Sequence, residues 1–468
     1  MFVKNDLLRL HITDMGIGKE GIGKVDSFPI FVKDALPGDY IEAKITKVKK
    51  QYAYGRLERI IEASPERIEP RCPVHRPCGG CQIAALDYKA ALRFKQDRVK
   101  QQLIRLGGQD EATLERIMEP IIGMEDPYHY RNKAQFPVGR DVSGKVISGF
   151  YAAHSHRIIP HDDNPSGCSI GQPLADRIRR RITAFLQQKN IPIYDEISGR
   201  GQVRHIFIRI GHSSGQVMVC LIVNAAANRC LPWEADLIRE LTEREEIPGL
   251  TGICLNYQQE PNNVILGPQT RCIWGRSYIE DSIQGLTFHI SVNSFYQVNS
   301  IQMEKLYATA LDFADLSPAD TVWDIYCGIG TISLCAAKQA GHVYGVEYVE
   351  RAILDARANA VRNGLTNTDF YVGAAEEVLP RLYREENIKA SVIIVDPPRK
   401  GCDPAVLETI ARMEPQRLVY VSCDVATLAR DVKRMEELGY RLERVRAVDM
   451  FPWTVHVEGV VLMSRKEK

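Results

Sequence analysis

In the last 180 or so residues, short apolar runs alternate with stretches in which apolar positions recur every third or fourth residue. "TVWDI", "HVYGVE", "SVIIV" and "RLVYVS" read as buried strands rich in β-branched and aromatic residues. "DVATLARDVKRMEEL" reads as an amphipathic helix with Asp424 placed to cap it. Strand and helix in alternation predict a parallel sheet from about residue 286 to 468. Residues 1–64 have another rhythm: short alternating strands broken by glycine turns, as in "GIGKEGIGKVDSFPIFVKDALPGDYIEAKITKVKKQYAYGRLERII". They leave no room for a long helix and predict a small closed β-barrel. Between them, residues 65–285 mix a helix over "DYKAALRFKQDRVKQQLIRLGG" with strands at "VRHIFIRIG", "GQVMVCLIVNAAAN" and "TGICLNYQ". The expectation is a multidomain α/β chain, divided 1–64, 65–285 and 286–468.

Composition changes this picture little. Hydrophobic residues make up 45% and charged residues 25%, as in ordinary globular proteins. The first residues, "MFVKNDLLRLHITDMG", lack the apolar core of a signal peptide. No apolar run approaches the roughly 20 residues a membrane helix needs, so the expected location is the cytoplasm. A net charge of +1 means that a polyanionic partner has to be held by local patches. Twelve cysteines in that compartment point to metal or catalysis wherever they cluster. One tight cluster exists, Cys72, Cys78 and Cys81; others, such as Cys220, Cys254 and Cys335, lie in apolar patterns and read as buried small hydrophobes.

The barrel segment carries Lys44, Lys47, Lys49, Lys50, Tyr52, Tyr54 and Arg56 close together. Charge for phosphates and rings for bases suit a nucleic-acid strand; a solvated edge guarded by lysines is the equal alternative. Through its glycine run, "FVKDALPGD" and this basic strand, the segment resembles the TRAM domain of RNA-modifying enzymes, which implies RNA binding.

In "TVWDIYCGIGTISLCAAKQAGHVYGVE", Gly328 and Gly330 let the backbone approach a ligand at the end of a strand. Glu347, ending the next strand, can accept hydrogen bonds from a ribose diol. Dinucleotide enzymes share this arrangement but normally place a third glycine where Ser333 stands. "SVIIVDPPRKGCDP" decides for S-adenosylmethionine over NAD. It ends a strand in Asp396 on a turn stiffened by two prolines, as nucleobase methyltransferases commonly do and dehydrogenases do not.

Cys423 ends the strand after Asp396, and consecutive parallel strands end on one face. "MFPWTVHVEGVVLMS" adds Glu458 in the last strand pair. A thiolate adding to carbon 6 of uracil makes carbon 5 nucleophilic toward a methyl donor, and a base must then remove the carbon 5 proton. The helix after Cys423 is expected to favour its thiolate. "NSFYQVN", "DIYCGIG", "GVE", "DPPRKG", "YVSCDVATLARD" and "HVEGVVLM" together resemble, in order and over nearly the whole chain, the uracil-C5 RNA methyltransferase family. The resemblance implies that Gln297, Tyr326, Glu347 and Asp396 contact S-adenosylmethionine, with Cys423 as nucleophile and Glu458 as base. Two positions depart from many relatives. Asp424-Val425 stands for Asn-Pro, with a carboxylate expected to raise the thiol pKa, and Gly459 stands for Thr.

Three clustered thiolates need a fourth ligand for zinc or an iron–sulfur cluster, and spacing leaves both open. Cys168 in "NPSGCSIG" is the best distant candidate, with His75 inside the loop as the alternative. The resemblance implies a [4Fe-4S] cluster on Cys72, Cys78, Cys81 and Cys168, architectural in role. A TRAM domain together with this cluster resembles the ribosomal enzymes, which implies 23S rRNA as the RNA partner; the T-loop uridine of tRNA is the runner-up. Arg131 and Lys133 in "YRNKAQF" read as phosphate contacts or, equally simply, a solvated basic loop. An RNA-binding scaffold with a dead fold is the reading from another class, and the presence of Cys423, Glu458 and Asp396 counts against it.

Overall fold

The computed structural model describes residues 2–16, 18, 20–162, 164, 167–227, 229–244, 246–385 and 388–466. They form two compact units: Met1–Lys95 with Tyr151–Ile159 and Phe451–Val455, and Gln96–Phe150 with Pro160–Met450 and His456–Lys468. No helix among the described residues is long and apolar enough to cross a membrane.

The first unit contains the barrel. Strands β1 (Leu7–Met15), β2 (Glu20–Val25), β3 (Phe28–Lys33), β4 (Tyr40–Val48) and β5 (Ala53–Glu62) close in the order β1-β2-β3-β5-β4. Alternate residues point inward, so Leu10, Ile12, Ile30, Val32, Ile41, Ala43 and Ile45 fill the interior. The glycine run is a packing requirement. A Cβ on Gly21 would lie 2.6 Å from the Ala35 carbonyl oxygen, and one on Gly23 2.5 Å from that of His11. Buried Asp39 ties the barrel to the segment just after β5: it accepts from Arg67 Nε at 3.1 Å, from the backbone of Leu36 at 2.7 Å and from that of Ser64 at 2.9 Å. Beyond the barrel, Gln82 anchors Phe451–Val455. Its backbone donates to the Trp453 carbonyl at 2.7 Å, and its side chain accepts from Val455 N at 2.9 Å. The buried ammonium of Lys95 donates to the Phe451 carbonyl at 3.0 Å. Helix α1 (Tyr88–Arg105) is the one expected after the cysteine loop; it stops at Gly107-Gly108, where Gly108 takes φ +74°.

The chain continues through α2 (Glu111–Ile117), β6 (Met118–Ile122), β7 (Lys133–Arg140), β8 (Val146–Tyr151), β9 (Ile158–Pro160), α3 (Pro173–Gln188), β10 (Val203–Ile210), β11 (Val217–Val223), α4 (Glu234–Thr242), β12 (Leu250–Tyr257) and β13 (Gln269–Gly275), all but β9 and the end of β8 in the second unit. A mixed sheet is ordered β13-β12-β11-β10-β7-β8. Ile178, Ile182 and Phe185 of α3 and Leu237 and Leu241 of α4 cover one face, packing on Ile206, Ile208, Val219, Leu221 and Leu255. Every residue of β10 and β11 is buried, so the opposite face is covered too. The hairpin β14 (Tyr278–Ile283) and β15 (Leu286–Ser291) comes next.

The last part is a doubly covered sheet. Its elements are α5 (Ser300–Ala314), β16 (Thr321–Ile325), α6 (Thr331–Ala337), β17 (His342–Glu347), α7 (Glu350–Arg362), β18 (Thr368–Val372), α8 (Ala375–Glu385), β19 (Val392–Val395), α9 (Pro404–Met413), β20 (Arg417–Ser422), α10 (Val425–Glu437), β21 (Tyr440–Val448) and β22 (Glu458–Arg465). The order β18-β17-β16-β19-β20-β22-β21-β6 makes eight strands. The five from β18 to β20 are parallel, as the alternation predicts, and β22 enters antiparallel. The far edge is β6, contributed by a segment more than 150 residues upstream of the domain's expected start.

Candidate active site

The carboxyl ends of β16, β17, β19 and β20 open on one edge, the place where such sheets bind ligands. After β16 the chain turns sharply: Tyr326, Gly328 and Gly330 take φ of +70°, +56° and +83°. For Tyr326 this is a strained conformation. It is held by the Tyr326 and Cys327 amides, which donate to the Val346 carbonyl at 2.9 and 3.0 Å. Glu347 at the end of β17 is fixed by backbone: Oε2 accepts from Gly328 N at 3.1 Å and Oε1 from Val349 N at 2.9 Å. Ser333, in the third-glycine position, donates to Asp324 Oδ2 at 2.5 Å. Asp324 is fully buried and its Oδ1 has no partner. Burial raises its pKa to about 7 against the Ser333 hydrogen bonds, with the charge of Glu347 adding to the rise.

Asp396 lies directly after β19, its amide donating to the Ile325 carbonyl at 3.3 Å. Burial, and then the charge of Asp324, raise its pKa to about 7. Glu458 opens β22 and pairs with Val448. It is buried, and its pKa rises to about 8 through burial and the charge of Asp396, opposed by Arg399. Among the described residues neither the Asp396 nor the Glu458 carboxyl has a hydrogen-bond partner. The antiparallel register pairs Ser422 with Gly459, which brings Cys423 and Glu458 to the same end of adjacent strands. Cys423 is half-buried. Burial, then Glu458 and Asp396, push its thiol up to about 11, while Arg399 pulls it down.

Both departures noted in the sequence have local causes. A Cβ on Gly459 would lie 2.8 Å from Leu428 Cδ2, so α10 packs closely against this glycine. Asp424 turns its carboxylate to the helix, Oδ1 accepting from Ala426 N at 3.0 Å and Thr427 N at 3.1 Å. The charges that chiefly raise the thiol pKa come instead from Glu458 and Asp396.

Gln297 lies in the loop before α5, buried. Asn132 holds that loop, donating Nδ2 to the Gln297 carbonyl at 2.8 Å and to Ser300 Oγ at 2.9 Å. α5 reaches the glycine loop through Tyr307, whose hydroxyl lies 3.1 Å from Thr331 Oγ1. The edge thus gathers Tyr326, Glu347, Asp396, Cys423 and Glu458. It adds Asp324 and Arg399, which sequence reasoning did not single out. The signal for Asp324 is a carboxylate inside the apolar run "TVWDI"; for Arg399 it is a cation directly after Pro-Pro.

Cys72, Cys78 and Cys81 belong to the first unit and Cys168 to the second. Cys72 and Cys78 are buried; Gly80 N donates to Cys78 Sγ at 3.4 Å, and burial, then nearby Cys78, raises the Cys72 thiol. Cys168 N donates to Asp176 Oδ2 at 2.9 Å. Among the described residues no group of three or more His, Cys, Asp or Glu is assembled to hold a metal ion. The loop supplies thiols and an N–H directed at sulfur.

The family model for tRNA (uracil-5-)-methyltransferase matches residues 263–466, and that for the TRAM domain residues 5–57. A Listeria innocua protein described as an uncharacterized RNA methyltransferase is 46% identical over 463 residues, 99% of this chain and 98% of its own length. The chain belongs to the uracil-5 RNA methyltransferase family. A relative in Halalkalibacterium halodurans, described in the same words, is also 46% identical, over 99% of this chain and 98% of its own. The crystal structure of Pyrococcus abyssi tRNA (uracil-54, C5)-methyltransferase in complex with S-adenosyl-L-homocysteine superposes with a TM-score of 0.74. It covers 97% of this chain and 100% of that one, and at 24% identity it shows the shared fold. This enzyme is therefore an S-adenosylmethionine-dependent RNA (uracil-5-)-methyltransferase with an N-terminal TRAM barrel. The donor set suits such a cofactor: carboxyls with raised pKa at the sheet edge would complement a sulfonium and an ammonium.

The geometry predicts how the thiol responds to its neighbour. At pH 9 Glu458, titrating near 8, is mostly ionised and opposes the Cys423 thiolate. Glu458→Gln removes that charge, so the thiol pKa falls. Alkylation of Cys423 by iodoacetamide at pH 9, monitored by mass spectrometry, should become about three- to tenfold faster; an equal or slower rate would separate the two groups.

Proposed function

We propose that Cys423 is the nucleophile and Glu458 the base in methylation of carbon 5 of a uridine in 23S rRNA. Gln297, Tyr326, Glu347 and Asp396 hold S-adenosylmethionine. The observation that carries the reading is the convergence of Cys423, Glu458 and Asp396 at the ends of adjacent strands on one sheet edge. The cofactor supplies the methyl group as a sulfonium. Cys423, once deprotonated, forms a bond from sulfur to carbon 6 of the uracil, and the electron pair displaced makes carbon 5 nucleophilic. Glu458 as carboxylate takes the carbon 5 proton after methylation, the pair left behind restores the double bond, and the carbon–sulfur bond breaks. A base of this kind contributes about 10²- to 10⁴-fold. Half-buried Asp396 orients the cationic part of the cofactor; Glu347, locked by two amides, accepts from the ribose.

The functional division we propose is RNA binding by residues 1–64, a central domain over 65–285 and methyl transfer by 286–468. Cys72, Cys78, Cys81 and Cys168 are proposed to bind a [4Fe-4S] cluster in an architectural role. The contact of Gly80 N with Cys78 sulfur and the anchoring of Trp453 and Val455 by Gln82, directly after Cys81, support it. The case for ribosomal RNA rests on the TRAM barrel combined with that cysteine loop. The second reading is a tRNA uridine, favoured by the matching family model and the Pyrococcus enzyme, both described by tRNA.

Three outcomes are expected. Deleting the gene removes 5-methyluridine from 23S rRNA and leaves it in tRNA, read by nuclease digestion and mass spectrometry of the separated RNAs; loss from tRNA alone selects the second reading. Glu458→Gln accumulates a denaturation-resistant protein–RNA adduct labelled from the methyl group, whereas Cys423→Ala forms none. Methylation by Cys423→Ala at the native rate would end the mechanism. Protein purified without air contains about four iron and four acid-labile sulfide per chain; stoichiometric zinc without iron rules the cluster out.

A further inference from the structure

The central sheet carries a group of cations that the catalytic reading does not use. Lys133 on β7 and Arg209 on β10 are direct cross-strand partners, so their side chains leave the sheet on one face. That face is opposite the one on which Ile208 packs against α3 and α4. Arg209 is 1% exposed. One of its nitrogens, Nη2, donates to the Ser294 carbonyl at 3.0 Å; Nε and Nη1 are buried and have no partner. Lys133 and Arg131 are half-buried. Among the described residues none of the three forms an ion pair. Their mutual repulsion is visible in Lys133: burial, then the charges of Arg209 and Arg131, bring its ammonium pKa down to about 8. Burial lowers Arg209 to about 10.

A buried guanidinium with two idle N–H groups is unusual, because desolvation is normally offset by a carboxylate or several carbonyls. Here the neighbours are the Phe207 ring, with its centroid 5.5 Å from Arg209 Cζ, the Tyr296 phenol and the cationic Lys133 across the strands. The group also touches the cofactor loop. Arg209 bonds Ser294, three residues before Gln297, and Asn132, between Arg131 and Lys133, holds the Gln297 carbonyl. Two half-buried cations and a buried one thus gather beside the Gln297 loop.

We propose that Arg131, Lys133 and Arg209 form a phosphodiester site that docks the RNA backbone next to the Gln297 loop. The phosphate is contacted by Lys133 and Arg131, and its charge neutralises Arg209 beneath them. This rests on the reading of the chain as an RNA methyltransferase. The whole-chain charge of +1 gives no general attraction for RNA, so a local receptor of this kind has a specific part in holding the strand.

The test uses the full chain and an unmodified transcript that the wild-type enzyme methylates. That measurement, made first, stands or falls with the function itself and not with this site. Filter binding over a salt series, with S-adenosylhomocysteine present, then compares wild type, Lys133→Gln, Arg131→Gln and Lys133→Arg. Each Gln variant should bind the transcript about three- to tenfold more weakly and lower the slope of log K against log salt by about 1. Lys133→Arg should restore both, and calorimetry should show S-adenosylhomocysteine affinity unchanged in all of them. Wild-type affinity and slope in both Gln variants would overturn the proposal. So would a loss of RNA binding matched by an equal loss of S-adenosylhomocysteine binding, which would make these residues supports of the loop.

Discussion

Three carboxyl groups gathered at one sheet edge, with Arg399 the main cation opposing them, set the terms for the rest of this sheet. Asp324 and Glu458 lie on strands of the same sheet and are buried, and Asp396 follows a third strand, half-buried. An ionised carboxylate in such a place is costly, so each holds its proton to about pH 7 or 8. Their ordinary values are 3.8 for Asp and 4.5 for Glu, so the folded values are raised. Groups raised in this way support the empty fold fully at low pH, and that support is lost as pH rises through about 7 to 8. A ligand carrying positive charge reverses the balance, because it stabilises the ionised forms.

The loops around this edge are built so that no cation of the chain cancels it outright. Glu347 is restrained by two backbone amides and no Lys or Arg. Ser333 gives Asp324 a neutral hydrogen bond. Tyr326 is kept in a left-handed conformation by two bonds to one carbonyl. Asp424 is turned to the amides of α10. Arg399 alone opposes the acids at both Cys423 and Glu458. The strain at Tyr326 and the tight packing at Gly459 are local consequences of bringing these backbones close enough for the arrangement to hold.

How far the chain can be read in advance depends on how local the cause is. Asp396 and Cys423 are legible because consecutive strands of a parallel sheet end on one edge, and the alternation that announces such a sheet lies within single stretches of sequence. Glu458 is legible as a strand residue. Its position beside Cys423 depends on the pairing of Ser422 with Gly459, a register set between distant segments. β6 is not legible as part of this sheet, because nothing in "MEPII" indicates a partner more than 300 residues away. The direction of Asp424 is hidden for a related reason: a carboxylate beside a thiol acts on it only when the helix does not claim it first. In "VRHIFIRIG" a strand is evident, but its second arginine looks like any polar residue at a strand end. Burial of Arg209 is decided by what covers the second face of the sheet.

The position of the thiol has its origin in the same acids. At neutral pH a group titrating near 11 is almost wholly protonated, so Cys423 at rest is a weak nucleophile and a poor target for oxidants. The N-terminus of α10 cannot relieve this by itself, because the Asp424 carboxylate already accepts from its first amides. Relief must come through the charges that oppose the thiolate. Positive charge brought against Asp396 weakens one of them directly, and it lowers the pKa of Glu458 by removing the repulsion between the two carboxylates. On the proposed mechanism, Glu458 then becomes available as a base under the same conditions that make the thiolate cheaper to form. The proposed nucleophile and base are linked through Asp396, so positive charge at that carboxyl favours deprotonation of both.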